Sequence, residues 1–545
     1  MRAPSTLYRT TILYIFLCLF VVTVEMRPGR VYYLLQMLLF RNSVANLALY
    51  LIIFGLTVWG LQIVLFNKNK TIRIASAAVW LPLLFISLVY RFITGYNYTY
   101  ADAHTAINNT HLLSEAFNNY TLPLVFALAG TIATGAALCF ANKRIKHVYK
   151  TGYTLVLLPL IVLSYWYINR SLGVIDDLPV FYRVPLSTIL AYNHTLPNTS
   201  RTPVQISPEQ AGVKHLFLIV DESITGGALS INGNNSNTTP FLKSVSDQLQ
   251  NFGIASAYTN YSAGSNIALM SGLRSQELPD KEKQALKKSN IFQYAKQAGY
   301  TTYFIDAQIG RGMLQNFVSS QDLKSIDHFV QVTEEQLEQP YYKRDFVIAD
   351  LLLKLSKSNN KIFVYVNKAG AHWPYARTYH PDSVFFSPVL SERSMLKDKE
   401  KSINAYYNSI RWTVDGFWRK LIHNIQPQDS TFIVYTSDHG QDLSGDGISI
   451  THASTINTLP IEANVPLWIL DKTGYAQSFT VPSPNQQSHA QIFPTLLLLQ
   501  GYNEKYIKNN YGPTLYDTNL PKIRYFLSGD IFGRGPSTLI EFKLE

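Results

Sequence analysis

The sequence predicts a membrane segment of five helices followed by a soluble α/β domain, a mostly parallel central sheet with helices on both faces. Three observations carry that expectation. The first third holds five apolar stretches of membrane-spanning length, 10–26, 44–66, 72–90, 121–141 and 152–169. From Val213 onward, short β-rich runs alternate with helical stretches, the pattern of strands joined by crossover helices. The charge is also divided: residues 1–170 hold 14 Lys and Arg against 3 Asp and Glu, whereas residues 171–545 hold 33 of each. A soluble part with no basic excess argues against nucleic acid as a partner.

Within residues 1–170 the basic residues alternate in the way that orients a membrane protein. Lys68, Lys70 and Arg73 crowd one loop, and Lys143, Arg144, Lys146 and Lys150 another, while residues 95–120 have no Lys or Arg. The positive-inside rule places the N-terminus and both basic loops in the cytoplasm, so an odd number of spans puts everything after Arg170 outside. Residues 31–40, too short to span, read as an interfacial segment between Arg30 and Arg41. Both cysteines, Cys18 and Cys139, fall inside expected spans, which leaves the outer domain without disulfides.

Residues 171–212 carry scattered Pro, Asn, Ser and Thr and read as an outer linker; residues 213–545 form the α/β domain. Its strand-like runs are KHLFLIVD, TTYFID, KIFVYVN, TFIVYTSD and VPLWIL, with helical stretches between them such as SNIFQYAKQAG and EKSINAYYNSIRWTVDGFWRKLI.

Four places at strand ends or helix starts carry groups suited to a metal and a phosphate. Asp221-Glu222 follows HLFLIV directly. Ser265 follows a glycine where an apolar helix begins, a position at which backbone N–H groups and the helix dipole favour an anion. His372 lies a few residues past KIFVYVN. TFIVYTSDHG ends in Asp438 and His439, with His452 thirteen residues further on. Each group taken singly has an ordinary structural use, as a cap, a turn carboxylate or a packed loop histidine. Their convergence on one edge of one inferred sheet is what points to chemistry, because ligands gather beyond the carboxyl ends of parallel strands. Glu222, Asp438 and His439 form an O/O/N set typical of zinc or manganese, and Ser265 would complete a tetrahedral site. A divalent ion lowers the pKa of a coordinated hydroxyl, making such a serine a nucleophile at neutral pH.

The succession of strand-DE, Gly-Ser at a helix start, Gly-x-His, SDHG, a further histidine and SHAQIFPTLLLLQGY resembles the alkaline phosphatase and sulfatase superfamily. With five spans in front it resembles that superfamily's membrane branch, the phosphoethanolamine transferases that modify lipid A and other envelope glycans. The resemblance implies Glu222, Asp438 and His439 as metal ligands and Ser265 as nucleophile, with His372 and His452 holding the transferred phosphoryl group or a second zinc. It further implies a multi-pass inner-membrane protein with its catalytic domain on the periplasmic side, a phospholipid donor such as phosphatidylethanolamine, and a lipid or glycan acceptor. Asp221 stands where these transferases often have glycine and where sulfatases have a second acidic ligand, so one or two metals remain open. Ser265 to Leu269 lacks the Pro and Arg of a C/S-x-P-x-R motif, which argues against a sulfate-ester hydrolase. The alternatives are a phosphoglycerol transferase or phosphodiesterase of the same fold, or a catalytically silent membrane scaffold.

Overall fold

A computed structural model of the chain describes residues 44–94, 98, 102–103, 106, 120–144, 153–170, 178–193, 200–308, 314–331, 340–390, 398–443, 451–455, 457–480, 482–520, 523–534 and 537–544. The chain divides into two compact units, 1–196 and 197–545.

The first unit is helical: α1 (Val44–Leu65), α2 (Lys70–Thr94), α3 (Thr121–Arg144), α4 (Tyr153–Arg170) and α5 (Val180–Asn193). Helix α1 packs on α4, and α2 packs on both α3 and α5. Leu61, Leu65, Trp80, Leu84, Leu88, Ala127 and Leu138 fill the seam. The outward faces are apolar as well, with Trp59, Phe126, Ile132, Leu158 and Ile161 exposed. A helix apolar all round has a nonpolar solvent on its outer side.

Three helices among the described residues are long and apolar enough to cross a membrane, Leu47–Leu65, Lys70–Ile93 and Thr121–Lys143. This corrects the expected five. The stretch 152–169 does form α4, of which Val156–Tyr165 is the apolar part among the residues whose side chains are described. The stretch 10–26 and the interfacial segment 31–40 lie outside the described residues. The stretch read as a linker contains α5, so it is partly helical.

The second unit is built on a seven-stranded sheet in the order β2-β7-β6-β1-β5-β3-β4. Its strands are β1 (His215–Asp221), β2 (Gln250–Ser256), β3 (Thr301–Asp306), β4 (His328–Gln331), β5 (Ile362–Asn367), β6 (Thr431–Ser437) and β7 (Asn464–Asp471). Strand β7 is antiparallel to both β6 and β2, while the other pairings are parallel. The sheet is therefore mixed, with β7 alone reversed. A second, two-stranded sheet pairs β8 (Arg524–Gly529) with β9 (Ser537–Phe542).

The central strands read as continuous apolar runs because both of their faces are covered. On one face Phe217, Ile219, Val364, Val366, Ile433 and Tyr435 pack against α8 (Arg344–Leu355), α9 (Lys399–Ile410) and α10 (Phe417–Asn424). Trp418 of α10 is fully buried there, with its ring edge-on to Tyr435 at 5.4 Å and Trp468 at 5.6 Å. Such aromatic pairs contribute about 1 kcal/mol each beyond area burial. On the other face, Phe292 of α7 (Ile291–Gln297) meets Phe363 and Tyr365, and the Tyr365 hydroxyl donates to Asn266 of α6 (Ser262–Ser271). Register then aligns the carboxyl ends: Val220 lies opposite Asn367, and Asp221 opposite Ser437. Whatever follows β1, β5 and β6 is delivered side by side.

Candidate metal centre

Glu222 follows β1, and Asp438 and His439 follow β6; all three are buried. The turn after β1 is drawn onto the end of β6 by Ser223, whose φ of 64° is in the left-handed region. Its N–H donates to Asp438 Oδ1 at 2.9 Å and its hydroxyl to Glu222 Oε1 at 2.6 Å. Two glycines are required by crowding. A Cβ on Gly440 would stand 2.2 Å from the Ile461 carbonyl oxygen, and one on Gly370 would stand 2.5 Å from both Asp221 Oδ1 and the Glu222 carbonyl oxygen. Gly370 also has φ +53°, which lets the loop carrying His372 lie directly on the end of β1.

One oxygen, one oxygen and one nitrogen face a common point. His439 Nε2 is 3.5 Å from Glu222 Oε1 and 3.7 Å from Asp438 Oδ2. His439 Nδ1 donates to the Gly440 carbonyl at 2.9 Å, which fixes the tautomer and turns the Nε2 lone pair toward the carboxylates. Asp438 Oδ2 is buried and has no hydrogen-bond partner among the described residues. A buried carboxylate oxygen left unpaired is costly unless a cation satisfies it. Donor atoms bound about 2.1 Å from a tetrahedral ion lie about 3.4 Å from one another, and the two separations here, 3.5 and 3.7 Å, lie just above that value. The residues present therefore fit a small divalent cation.

The electrostatics agree. Burial alone opposes charge on His439, yet Asp438 and Glu222 outweigh it and push the imidazole up to about 9. Burial and the neighbouring Glu222 charge push Asp438 up to about 8. Burial would raise Glu222 too, but the hydrogen bond and charge of His439 hold it well below the usual carboxylate range. Left to itself, the trio captures a proton to supply the positive charge that it lacks.

The structure does not bring Ser265 to this group. Ser265 is fully buried a turn inside α6, where its hydroxyl donates to the Thr259 carbonyl at 3.1 Å and accepts from the Thr259 N–H at 3.2 Å. The hydroxyl at the centre is that of Ser262, 3.2 Å from His439 Nε2 and 3.3 Å from Glu222 Oε2. Helix α6 begins at Ser262, three residues before Ser265, so the free N–H groups and positive dipole end sit there. The Ser-x-x-Ser spacing carried this information, since both serines share one helical face.

His372 is exposed and its Nδ1 donates to the Trp373 carbonyl at 2.6 Å; Glu222, Arg377 and His439 are among the charges that it feels. His452 stacks on His439, with ring centroids 4.2 Å apart. Burial and the His439 charge push it well below the usual range, so it stands as a neutral ring. Asp221 faces the other way: its Oδ2 meets Lys368 Nζ at 2.5 Å and the Tyr435 hydroxyl at 2.7 Å. Lys368, which sequence reasoning passed over as a loop residue, is fully buried and also donates to the Thr413 carbonyl at 2.6 Å. That carbonyl belongs to a π-helical turn, Arg411–Gly416, between α9 and α10. Gln308 was missed as well; its amide donates to Glu222 Oε2 at 2.8 Å. His489 of the SHAQ stretch is structural. It is buried, and its ring nitrogens meet the Tyr258 N–H at 3.3 Å and the Thr436 hydroxyl at 3.1 Å.

A mixed α/β sheet whose adjoining strand ends present two carboxylates, an imidazole and a helix-capped serine hydroxyl defines a candidate metal-assisted hydrolase or group transferase. The sequence signature of the Sulfatase family matches residues 214–502, more than half of the chain, and the protein belongs to that family. Phosphoethanolamine transferase EptA of Escherichia coli K12 is 28% identical over 156 residues, a segment spanning 26% of this chain and 28% of that protein. Among solved structures, the integral membrane lipooligosaccharide phosphoethanolamine transferase A from Neisseria meningitidis is 18% identical. It covers 90% of this chain and 97% of its own, with a TM-score of 0.63. The C-terminal periplasmic domain of E. coli EptC, solved in complex with Zn, is 16% identical and covers 63% of this chain and 97% of its own, with a TM-score of 0.51. These two likenesses show a shared fold.

Proposed function

We propose that the protein transfers phosphoethanolamine from phosphatidylethanolamine to a lipid or glycan acceptor of the envelope, such as lipid A, through a phospho-Ser262 intermediate. In this reading it is a multi-pass inner-membrane enzyme with its second unit on the periplasmic side. The observation that carries it is Ser262 Oγ, set at the N-terminus of α6 within hydrogen-bond distance of both His439 and Glu222. The named activity of the E. coli relative and the membrane-embedded fold of the Neisseria protein support the group and the setting.

Glu222, Asp438 and His439 would hold a divalent ion, with zinc favoured by the O/O/N set and by the EptC complex; bound there, it supplies Lewis acidity to the serine oxygen and the phosphoryl oxygens. Ser262 Oγ, its proton already released to solvent, attacks phosphorus as the alkoxide, forming a serine O–P bond as the bond to the glycerol oxygen breaks. The N-terminal amides of α6 stabilise the charge developing on the phosphoryl oxygens. His372, its Nδ1 held by the Trp373 carbonyl, acts as the imidazolium, and its second proton passes from Nε2 to the departing diacylglycerol oxygen. His452, neutral and stacked on His439, donates to a phosphoryl oxygen. The acceptor then attacks the same phosphorus, and its proton passes to the freed histidine as Ser262 is released.

Full-length protein incubated with headgroup-labelled phosphatidylethanolamine tests this directly. Diacylglycerol release and a labelled adduct on the peptide containing Ser262 are expected. An adduct confined to another residue, or labelling only from phosphatidylglycerol, refutes the proposal.

A further inference from the structure

Two arginines outside the metal centre lack the partners that structural arginines have. Arg344, the first residue of α8, is 9% exposed, and its Nε is buried without a hydrogen-bond partner. Its one hydrogen bond among the described residues runs from NH1 to the Gln308 carbonyl at 3.3 Å. Among the described residues Arg377 Nε is likewise buried and unpaired, and no carboxylate forms an ion pair with either guanidinium. Both lie over one ring: the Arg344 guanidinium carbon is 4.5 Å from the centroid of Tyr341, and that of Arg377 is 4.4 Å from it. The two cations can be no further apart than those distances together. The Tyr341 hydroxyl donates to the Ala369 carbonyl at 3.2 Å, which fixes the group to the loop that carries His372. The adjacent acid, Asp345, is taken up by the N–H groups of Ala369 and Gly370 at 2.9 and 3.1 Å and cannot neutralise the pair.

A planar guanidinium fork with free donors matches the oxygen pairs of a phosphate, and stacking on an aromatic face holds it oriented without consuming those donors. Two like charges fixed to one ring repel each other until an anion lies between them. We infer that Arg344 and Arg377, mounted on Tyr341, form an oxyanion subsite beside His372 for a phosphate group of a substrate. The inference rests on the phosphoryl-transfer reading above and extends it, because residues 171–545, with 33 Lys and Arg against 33 Asp and Glu, carry no net positive charge to attract such a group from a distance. Two sources present the same chemistry, the phosphodiester of the donor lipid and a phosphate carried by the acceptor.

The test uses full-length protein in detergent. After chelation of divalent ions, it is titrated with inorganic phosphate and followed by phosphorus NMR. Saturable binding is expected, weakened about tenfold or more by Arg344→Gln and by Arg377→Gln, the share of one charge-assisted contact. Absence of binding in the unmutated protein, or equal binding in the variants, overturns the inference. Arg377→Lys, which keeps the charge but loses the fork, serves as the second variant should the glutamine forms melt early. With metal restored, the source is resolved by Arg377→Gln. A raised KM for a phosphate-bearing acceptor with normal diacylglycerol release assigns the subsite to the acceptor, and slowed diacylglycerol release assigns it to the donor. If the unmutated protein transfers nothing, the functional proposal fails while the phosphate titration still judges the subsite.

Discussion

Two serines one helical turn apart in α6 predict opposite behaviour. Ser262 is half-buried and its hydroxyl touches only the side chains of the metal centre, so Ser262→Ala costs less than about 0.5 kcal/mol of stability. It removes the nucleophile, however, and phosphoryl transfer falls by about 10⁴-fold or more. Ser265 is fully buried, and its hydroxyl both accepts from and donates to the Thr259 backbone, at 3.2 and 3.1 Å. Ser265→Ala strands that N–H and carbonyl in the interior, a loss of about 1–3 kcal/mol and a melting temperature lower by a few degrees. Transfer survives in this variant to within about tenfold, because Thr259 leads into the turn before Ser262 without reaching the substrate. Purified full-length variants would be compared by diacylglycerol release from phosphatidylethanolamine and by thermal melting. Near-normal turnover in Ser262→Ala, or a stable Ser265→Ala with no turnover, would refute the assignment.

Other outcomes follow from the same geometry. Asp438→Asn should lower metal affinity about 100-fold or more, since even outer partners of metal ligands are worth 10–100-fold; metal content after dialysis against buffered zinc measures it. Lys368→Met leaves Asp221 buried without its counter-charge, so it should cost about 3–5 kcal/mol in denaturant unfolding, and adding Asp221→Asn should recover part of that loss. Burial pushes His489 down to about 3 in the folded state, below its unfolded value of about 6.5. The unfolded chain therefore binds the extra proton between those values, and stability contributed by the neutral ring is lost as pH falls below about 6.5. The loss reaches about 2 kcal/mol at pH 5. Melting curves at pH 7 and 5 should show that drop, and a His489→Gln variant should show less of it.

How much of this was legible beforehand differed by element. Strands β1, β5 and β6 were plain because burial on both faces demands unbroken apolar runs, and their ends named Glu222, Asp438 and His439. Strand β7 was found but not its reversal, since VPLWIL is equally apolar whichever way it runs. Strands β2 and β4 escaped because both lie at the sheet's edges and carry polar residues such as Gln250, Asn251 and His328, which break the apolar run. Ser265 stands out in the sequence because it reads as the cap of α6, which begins three residues earlier at Ser262. Lys368 was unreadable for a different reason. Nothing local distinguishes a buried lysine from a solvated one; only the packing of α9 and α10 over the sheet encloses it, with Phe417 4.1 Å from its ammonium.

That lysine has a consequence for how many ions the centre can accept. Asp221 is the acidic side chain that a second cation would recruit at this strand end, and the Lys368 ammonium already meets it. The protein thus supplies Asp221 with a partner of its own, covalently attached and indifferent to metal supply. Titration with zinc should consequently follow a single-site isotherm, and scarcity of metal should switch the enzyme between two states, loaded and empty, with no half-filled species between them.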